Sequence, residues 1–415
     1  MAGRLPLLDV VEVPLAGARG LVAAESVVAA EAVPPFANSA VDGFAVRSVD
    51  VAVVPVELAV VATIPAGSAA EVVVGAGEAA RIMTGAPVPE GADAIVMVED
   101  TVMVGDTAMV DTATVGDTAM VGDTAPDRGK GTQRVRILAA AVGGAHVRPV
   151  GDDLPAGAVA VAEGTVLGAA HLGLLATVGR RWVRARRRPR VGVISTGDEL
   201  VDDGSPLQPG QIRDSNRVML LALCAEAGFD GVDLGLVRDD EAAIESALLS
   251  AAAGCDAVVT SGGVSMGDYD YVKAVLDRIG DMRWMQVAIK PAKPFAFGTI
   301  GAVPVFGLPG NPVSSLVSFE LFARPAIRAM AGHPHPERRR LPAVAGADLR
   351  RRPDGKVHFV RVTLGSGGDS ALTAEPAGSQ GSHQLAASAG ADGLAVLPDG
   401  DGIPAGAPVT VIPLG

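Results

Sequence analysis

The sequence predicts an α/β multidomain protein: a central doubly wound, mostly parallel α/β unit with β-rich regions on either side. Three observations lead there. Between residues 190 and 331, short β-branched runs alternate with amphipathic helical stretches, as in a parallel sheet covered on both faces. Before and after that stretch, β-branched runs are broken at close intervals by Gly and Pro, the texture of small β domains. A chain of 415 residues is also too long for one core, so about three folding units are expected.

Taken in order, residues 1 to 35 carry LVAAESVVAAEAV, which suits a strand or short helix before Pro34-Pro35. From Phe36 to Asp100 the runs VAVVPVELAVVATI and EVVV predict strands. Residues 101–125 form a slipped repeat built on VGDTAM, fitting either an extended hairpin or a length-variable loop, and no chemistry is assigned to it. The region 126–189 ends in RRWVRARRRPR, read as a solvated basic face leading into a strand. Strands are then expected at 191–194, 232–237, 257–260 and 303–307. Helices are expected at 216–228 behind a Ser215 cap, at 241–253 behind Asp239-Asp240, at 271–279 before Gly280, and at 312–330. HPHPERRRLP marks a boundary, and the tail 341–415 offers FVRVTL, LAVLP and PVTVIP as strands.

Composition narrows the classes of function. Lys+Arg number 34 against Asp+Glu 47, a net charge of −13, with two Trp and two Tyr. Such a chain has neither the basic footprint nor the stacking platform of a nucleic-acid binder. Two cysteines, Cys224 and Cys255, exclude a disulfide framework or a Cys-rich zinc module and read as buried small hydrophobes. The N-terminal stretch lacks the apolar centre of a signal peptide, and no run approaches the roughly 18 apolar residues of a membrane span. No membrane association and a cytoplasmic location are the expectations.

Ligands of open parallel sheets bind outside the carboxyl ends of the strands. Three segments answer that description: Ser195-Thr196-Gly197-Asp198-Glu199, Ser261-Gly262-Gly263-Val264-Ser265-Met266-Gly267-Asp268, and Leu308-Pro309-Gly310-Asn311-Pro312. Parallel strands would place all three on one rim. Glycine amides and hydroxyls there suit an anionic ligand. The carboxylates Asp198, Glu199, Asp268 and Asp270 have the opposite requirement, and a divalent cation such as Mg²⁺ reconciles the two by bridging oxygen ligands to phosphate. The bland alternative makes Asp198 and Glu199 helix N-terminal charges. In AIKPAKPFAFG, Lys290 and Lys293 each precede a proline, which disfavours helix and leaves a stiff segment able to face an oxyanion; an exposed basic turn is the competing reading.

Taken together, NSAVDGFAVR, RIMTGAPVPEGADAIV, RPVGDD, GVISTGDEL, GQIRDSNR, TSGGVSMGDYDY, AIKPAKPFAFG, GLPGNPVSS and the tail's GSQGSH resemble the MoeA family, which includes the C-terminal domain of gephyrin. The segments follow the family's order and span nearly the whole chain. The resemblance implies a molybdopterin molybdenumtransferase: molybdate is inserted into adenylylated molybdopterin (molybdopterin-AMP) with Mg²⁺, and molybdenum cofactor and AMP are released. It implies an elongated homodimer of four-domain subunits. Residues 1–36 with 151–185 would form a discontinuous domain, 37–150 an inserted β domain, 186–335 the α/β molybdopterin-binding domain, and 341–415 a C-terminal β domain. Molybdopterin adenylyltransferase and molybdoenzyme apoproteins become possible partners.

Carried over residue by residue, Asp42, Asp153, Glu199, Asp239 and Asp270 match acidic positions important in the family, Asp270 foremost for Mg²⁺-assisted AMP release. Lys290, Lys293 and Pro294 match its molybdate-binding stretch, Ser265 resembles a hydroxyl near the substrate, and Arg361 and Ser382 look like contributions from the last domain. Ser195, Thr196, Gly197, Ser261, Gly262, Gly263, Pro309, Gly310 and Asn311 complete the expected binding rim. Ala37 and Val41 depart from the common Asp and Met, while Asp152 and Asp268 shorten a Glu. Two other functions compete: molybdopterin adenylylation, the preceding step, and a scaffold like gephyrin's. An adenylyltransferase needs only the α/β unit, and no added domain supports a scaffold.

Overall fold

The structure is a computed structural model that describes residues 5–104, 133–263, 271–367 and 371–415. The chain divides into two compact units, one of Met1–Glu25, Ala162–Leu172 and Arg181–Gly415, the other of Ser26–Val161 and Gly173–Arg180.

The first unit is built on a six-stranded sheet. Its strands are β1 (Arg190–Thr196), β2 (Asp230–Val237), β3 (Ala257–Ser261), β4 (Asp281–Gln286), β5 (Pro294–Ile300) and β6 (Val303–Leu308). They lie in the order β2-β1-β3-β6-β5-β4. β2, β1, β3 and β6 are mutually parallel, and β5 and β4 add antiparallel. The helices are α1 (Asn216–Glu226), α2 (Glu241–Gly254), α3 (Tyr271–Ile279), α4 (Pro312–Ser318) and α5 (Arg324–Met330).

Alternation along each strand decides what packs where. Val191, Val193, Val259 and Phe306 pack with Leu220 and Cys224 of α1 and with α4 and α5. Val258 and Val305 face the other way, onto Ile244 and Leu248 of α2 and Val275 and Leu276 of α3. Both faces are therefore covered, and the sheet is doubly wound. Asp240 caps α2 by accepting from the Ala243 N–H at 2.8 Å. At α1 the expected Ser215 side-chain cap is absent; Asp214 Oδ1 instead accepts from Arg217 N–H at 3.2 Å.

Several expectations need correction. The helix predicted across 312–330 is interrupted by a π-helical turn, Phe319–Ala323. Pro325 has no N–H to donate one turn back, and its ring crowds that carbonyl. The antiparallel pair β4 and β5 went unpredicted. RRWVRARRRPR is itself a strand in part, since Trp182–Arg186 pairs with Val10–Pro14. Of the two cysteines, Cys224 is buried but Cys255 only half-buried. Burial pushes the Cys224 thiol up to about 12, which makes it inert.

The tail closes on itself. Val357–Ser366 pairs with Leu372–Pro376, that strand with Leu341–Ala345, then Pro408–Pro413, then Gly393–Leu397, which returns to Val357–Ser366. Closure removes open edges. Ile289–Lys290 pairs in parallel with Val357–His358.

In the second unit, a six-stranded sheet is formed by Gly43–Val46, Val56–Ile64, Glu78–Ile82, Ala94–Met97, Thr101–Val104 and Arg134–Ile137. EVVV forms only a bridge, Val73 to Glu90. Val27–Val28 pairs with Val159–Val161, and Val33 bridges Leu154. Beyond the strand Thr101–Val104, the VGDTAM repeat lies outside the described residues.

Candidate functional site

In the order β2-β1-β3, the chain leaves β1 to opposite sides, so the carboxyl ends of β1 and β3 flank a topological switch point. A hollow of about 400 Å³ opens there. Thr196 and Glu199 from the end of β1, Ser261 and Gly262 from β3, and Gly310 and Asn311 after β6 line it together with Arg213, Asp214 and Asn216. Described residues from all three predicted segments thus line one hollow. Pro309 is buried between Leu308 and Gly310. Ser265, Asp268 and Asp270 lie outside the described residues, as does Gly267.

Several rim groups are already engaged. Ser195 is buried within β1, and its Oγ donates to Asp214 Oδ1 at 3.0 Å. The Gly262 N–H donates to the Leu308 carbonyl at 3.1 Å and the Gly197 N–H to Val237 at 3.4 Å. These two amides hold loops to neighbouring strands rather than facing a ligand as expected. Gly262 (φ +93°) and Gly263 (φ +70°) occupy the left-handed region that only glycine adopts without strain. At Gly197 a Cβ would stand 2.6 Å from Glu199 Oε2, so the carboxylate lies directly over this glycine.

Sequence reasoning missed the network beneath the hollow. The buried Arg217 pairs with Asp214 at 2.9 Å, with Asp233 at 2.6 Å and with Asp202. Burial alone would lower the Arg217 pKa, but the hydrogen bonds it donates to Asp233 and Asp214 outweigh it and raise it. Asp233 is likewise held below the carboxylate range against its burial. Asn216 was missed as well: its Nδ2 donates to Ser261 Oγ at 2.8 Å and to the Gly310 carbonyl at 2.7 Å. The signal was present in the IRDSNR segment, but polar residues at a helix start read as caps.

Asp198 and Glu199, adjacent in sequence, part company. Asp198 lines a second hollow of about 580 Å³ with Asp202, Arg238, Asp239 and Asp240. Asp198 Oδ1 accepts from the Asp239 N–H at 3.2 Å. Neither carboxylate begins a helix, because the short strand Leu200–Val201 follows; the helix-dipole reading is thereby overturned. Among the described residues no three His, Cys, Asp or Glu side chains converge to hold a metal ion.

The lysine segment is a turn rather than a uniformly extended run: Lys290 ends a short strand, Ala292 has φ +76°, and Lys293 precedes Pro294 at the start of β5. The Val287 N–H donates to the Lys293 carbonyl at 2.7 Å, closing the turn. Lys290 lines a third hollow of about 510 Å³ with Arg350, Arg352, His358 and Gln380. Arg361 is 1% exposed, and its guanidinium donates to the carbonyls of Ser379, Gly381 and Gln384. It therefore fastens the GSQGSH turn. Ser382 in that turn accepts, through its carbonyl, from Val313 N–H at 3.1 Å, next to Asn311-Pro312.

In the second unit, the exposed Asp42 accepts at Oδ1 from the Thr84 N–H (2.6 Å) and hydroxyl (2.7 Å). Those hydrogen bonds, the backbone one first, hold its carboxyl below the ordinary range. Asp153 is exposed, and its N–H donates to the Val33 carbonyl at 3.0 Å.

A doubly wound sheet with a polar hollow at its switch point, extended by β-rich regions, defines a multidomain α/β protein with a hollow where such sheets bind ligands. Comparison narrows the class. Residues 1–179 match the MoeA N-terminal region (domain I and II), 192–329 a probable molybdopterin binding domain, and 342–414 the MoeA C-terminal region (domain IV). Molybdopterin molybdenumtransferase 2 of Mycobacterium tuberculosis (strain ATCC 25618 / H37Rv) is 40% identical over 399 residues, covering 94% of this chain and 91% of that protein. The molybdopterin molybdenumtransferase of Haemophilus influenzae is 35% identical over 399 residues with the same coverage, 94% and 91%. A molybdopterin biosynthesis MoeA protein from Pyrococcus horikoshii OT3 superposes with a TM-score of 0.77 at 26% identity, covering 99% of this chain and 97% of that one. A further Pyrococcus MoeA structure gives 0.74 at 31% identity, covering 100% and 96%. The chain belongs to the MoeA family.

Proposed function

We propose that the protein is a molybdopterin molybdenumtransferase: it joins molybdenum from molybdate to the dithiolene sulfurs of molybdopterin-AMP, cleaves the pyrophosphate bond and releases AMP. The observation that supports this most is the hollow at the switch point, where Glu199, Ser261 and Asn311 from separate loops meet. Its chemistry suits a phosphorylated ligand. Ser261 Oγ accepts from Asn216, which leaves its own hydrogen for a phosphoryl oxygen. Arg213 supplies positive charge on the same wall.

Mg²⁺ is bound through one or two carboxylates plus substrate phosphates, and the Glu199 carboxylate, which lies over Gly197 and lines this hollow, offers one such ligand. We assign it to Glu199 with Asp268 and Asp270; Asp198, which lines the neighbouring hollow with Asp239, belongs to a separate acidic wall. When bound, the ion would neutralise charge on the pyrophosphate as AMP leaves. Lys290, Lys293 and Pro294, with Ser382 in the turn that Arg361 fastens, are proposed to receive molybdate, the lysines offsetting its charge. Asp42 and Asp153 stay proposed catalytic acids on resemblance alone. A homodimer, the four-domain organisation, a cytoplasmic location and hand-over to molybdoenzyme apoproteins belong to the same proposal. No helix among the described residues is long and apolar enough to cross a membrane.

Incubation with molybdopterin-AMP, Mg²⁺ and molybdate tests the reading. AMP release that requires molybdate is expected. Consumption of ATP with free molybdopterin would mean adenylylation instead. The matched MoeA regions on both sides of the α/β unit favour insertion, since adenylylation needs neither.

A further inference from the structure

Asn216 opens α1, and both protons of its side-chain amide are used: one on Ser261 Oγ at the end of β3, one on the Gly310 carbonyl in the turn after β6. All three residues line the same hollow. The orientation of the amide is not arbitrary. A backbone carbonyl only accepts, so the atom facing Gly310 must be nitrogen. The price is Oδ1, a buried acceptor with no partner among the described residues. The next residue keeps the hook in place: Arg217, paired with Asp202, Asp214 and Asp233, ties the first turn of α1 to β2 and to the loop after β1.

We infer that Asn216 is a positioning residue for the adenylylated ligand: by clamping the end of β3 and the turn after β6 to α1, it sets the spacing between the Ser261 hydroxyl and Asn311. The inference rests on the proposed reading of this hollow. Because the Ser261 oxygen accepts from Asn216, its own hydrogen remains to be donated to the ligand. No side chain of similar size substitutes: Asp has no proton to give at neutral pH, and Leu has none at all. The clamp acts on Ser261 and Gly310 in the proposed phosphate wall and leaves the lysine turn Lys290–Lys293 alone, so the two halves of the reaction should respond differently to its loss.

The test uses the full chain, with calorimetric titration of AMP and molybdate-dependent AMP release measured on wild type, Asn216→Ala and the isosteric Asn216→Asp. Wild type is expected to bind AMP. Asn216→Ala should weaken AMP binding about tenfold, the loss of about two modest hydrogen bonds. Asn216→Asp should weaken it further, because a carboxylate would face the Gly310 carbonyl. The molybdate concentration giving half-maximal release should stay at the wild-type value in both. Adding Ser261→Ala to Asn216→Ala should cost little more, since the clamp and the hydroxyl act as one unit. Wild-type AMP affinity in Asn216→Asp would overturn the inference, as would a parallel shift in molybdate dependence. Failure of the wild type to bind AMP would overturn the reading of the hollow and this inference with it.

Discussion

Arg217 carries a structural burden out of proportion to one side chain. Its guanidinium answers three aspartates, and only Asp214 among them is fully buried, with a side chain 1% exposed. Arg217→Ala leaves Asp214 without its cation and should destabilise the fold by about 3 kcal/mol, the usual scale for breaking a buried pair. Urea denaturation checks this; a loss under 1 kcal/mol would mean the aspartates find other partners. A second residue makes stability depend on pH. Burial first, then the Arg328 and Arg324 charges, push His333 down to about 4 from 6.5. The folded protein thus resists a proton that the unfolded chain accepts between those values. Stability should be complete above pH 6.5 and fall as pH drops toward 4, by roughly 1–2 kcal/mol after allowing for solvent screening. Denaturation curves at pH 7 and pH 5 should show the loss, and His333→Leu should abolish that part of it.

At the scale of elements, the glycine pair that follows β3 is tightly constrained. Gly263 has φ +70°, and a Cβ there would lie 2.4 Å from Val272 Cβ in α3. Gly263→Ala therefore combines backbone strain with a clash and should cost on the order of 2–3 kcal/mol. Thermal melting measures it, and an unchanged midpoint would show that α3 yields. The elements readable in the sequence were those whose local pattern and tertiary role agree. β1, β3, β6 and α2 were located within one or two residues because short apolar runs between Gly or Asp and capped helices are local signals. β4 was not, since Asp281–Gln286 is a charged edge strand whose partner, β5, lies beyond the lysine turn. The π-helical break at Phe319–Ala323 was hidden because an apolar helix pattern continues straight through it. The site shows the same division. The rim loops were legible as glycine-rich strand ends, but Asn216 and Arg217 act through contacts among distant segments, which no local pattern records.

At the scale of the molecule, the proposal distributes one reaction over separate hollows of the first unit. The phosphate end is assigned to the wall with Glu199 and Ser261, and molybdate to the lysine turn beside the closed tail sheet. Lys293→Ala should then raise the molybdate concentration needed for AMP release about tenfold or more while leaving AMP affinity within about twofold. An unchanged molybdate titration would remove Lys293 from the mechanism. Asp270→Asn should preserve folding and AMP binding yet slow AMP release by about a hundredfold, measured in a single-turnover assay; wild-type turnover would remove Asp270 in the same way.

The most direct test is a crystal structure of the protein with AMP and molybdate bound. The account predicts nucleotide phosphate density against Glu199, Ser261 and Asn311, with a tetrahedral oxyanion near Lys293. Nucleotide bound elsewhere, with that hollow filled only by solvent, would contradict it.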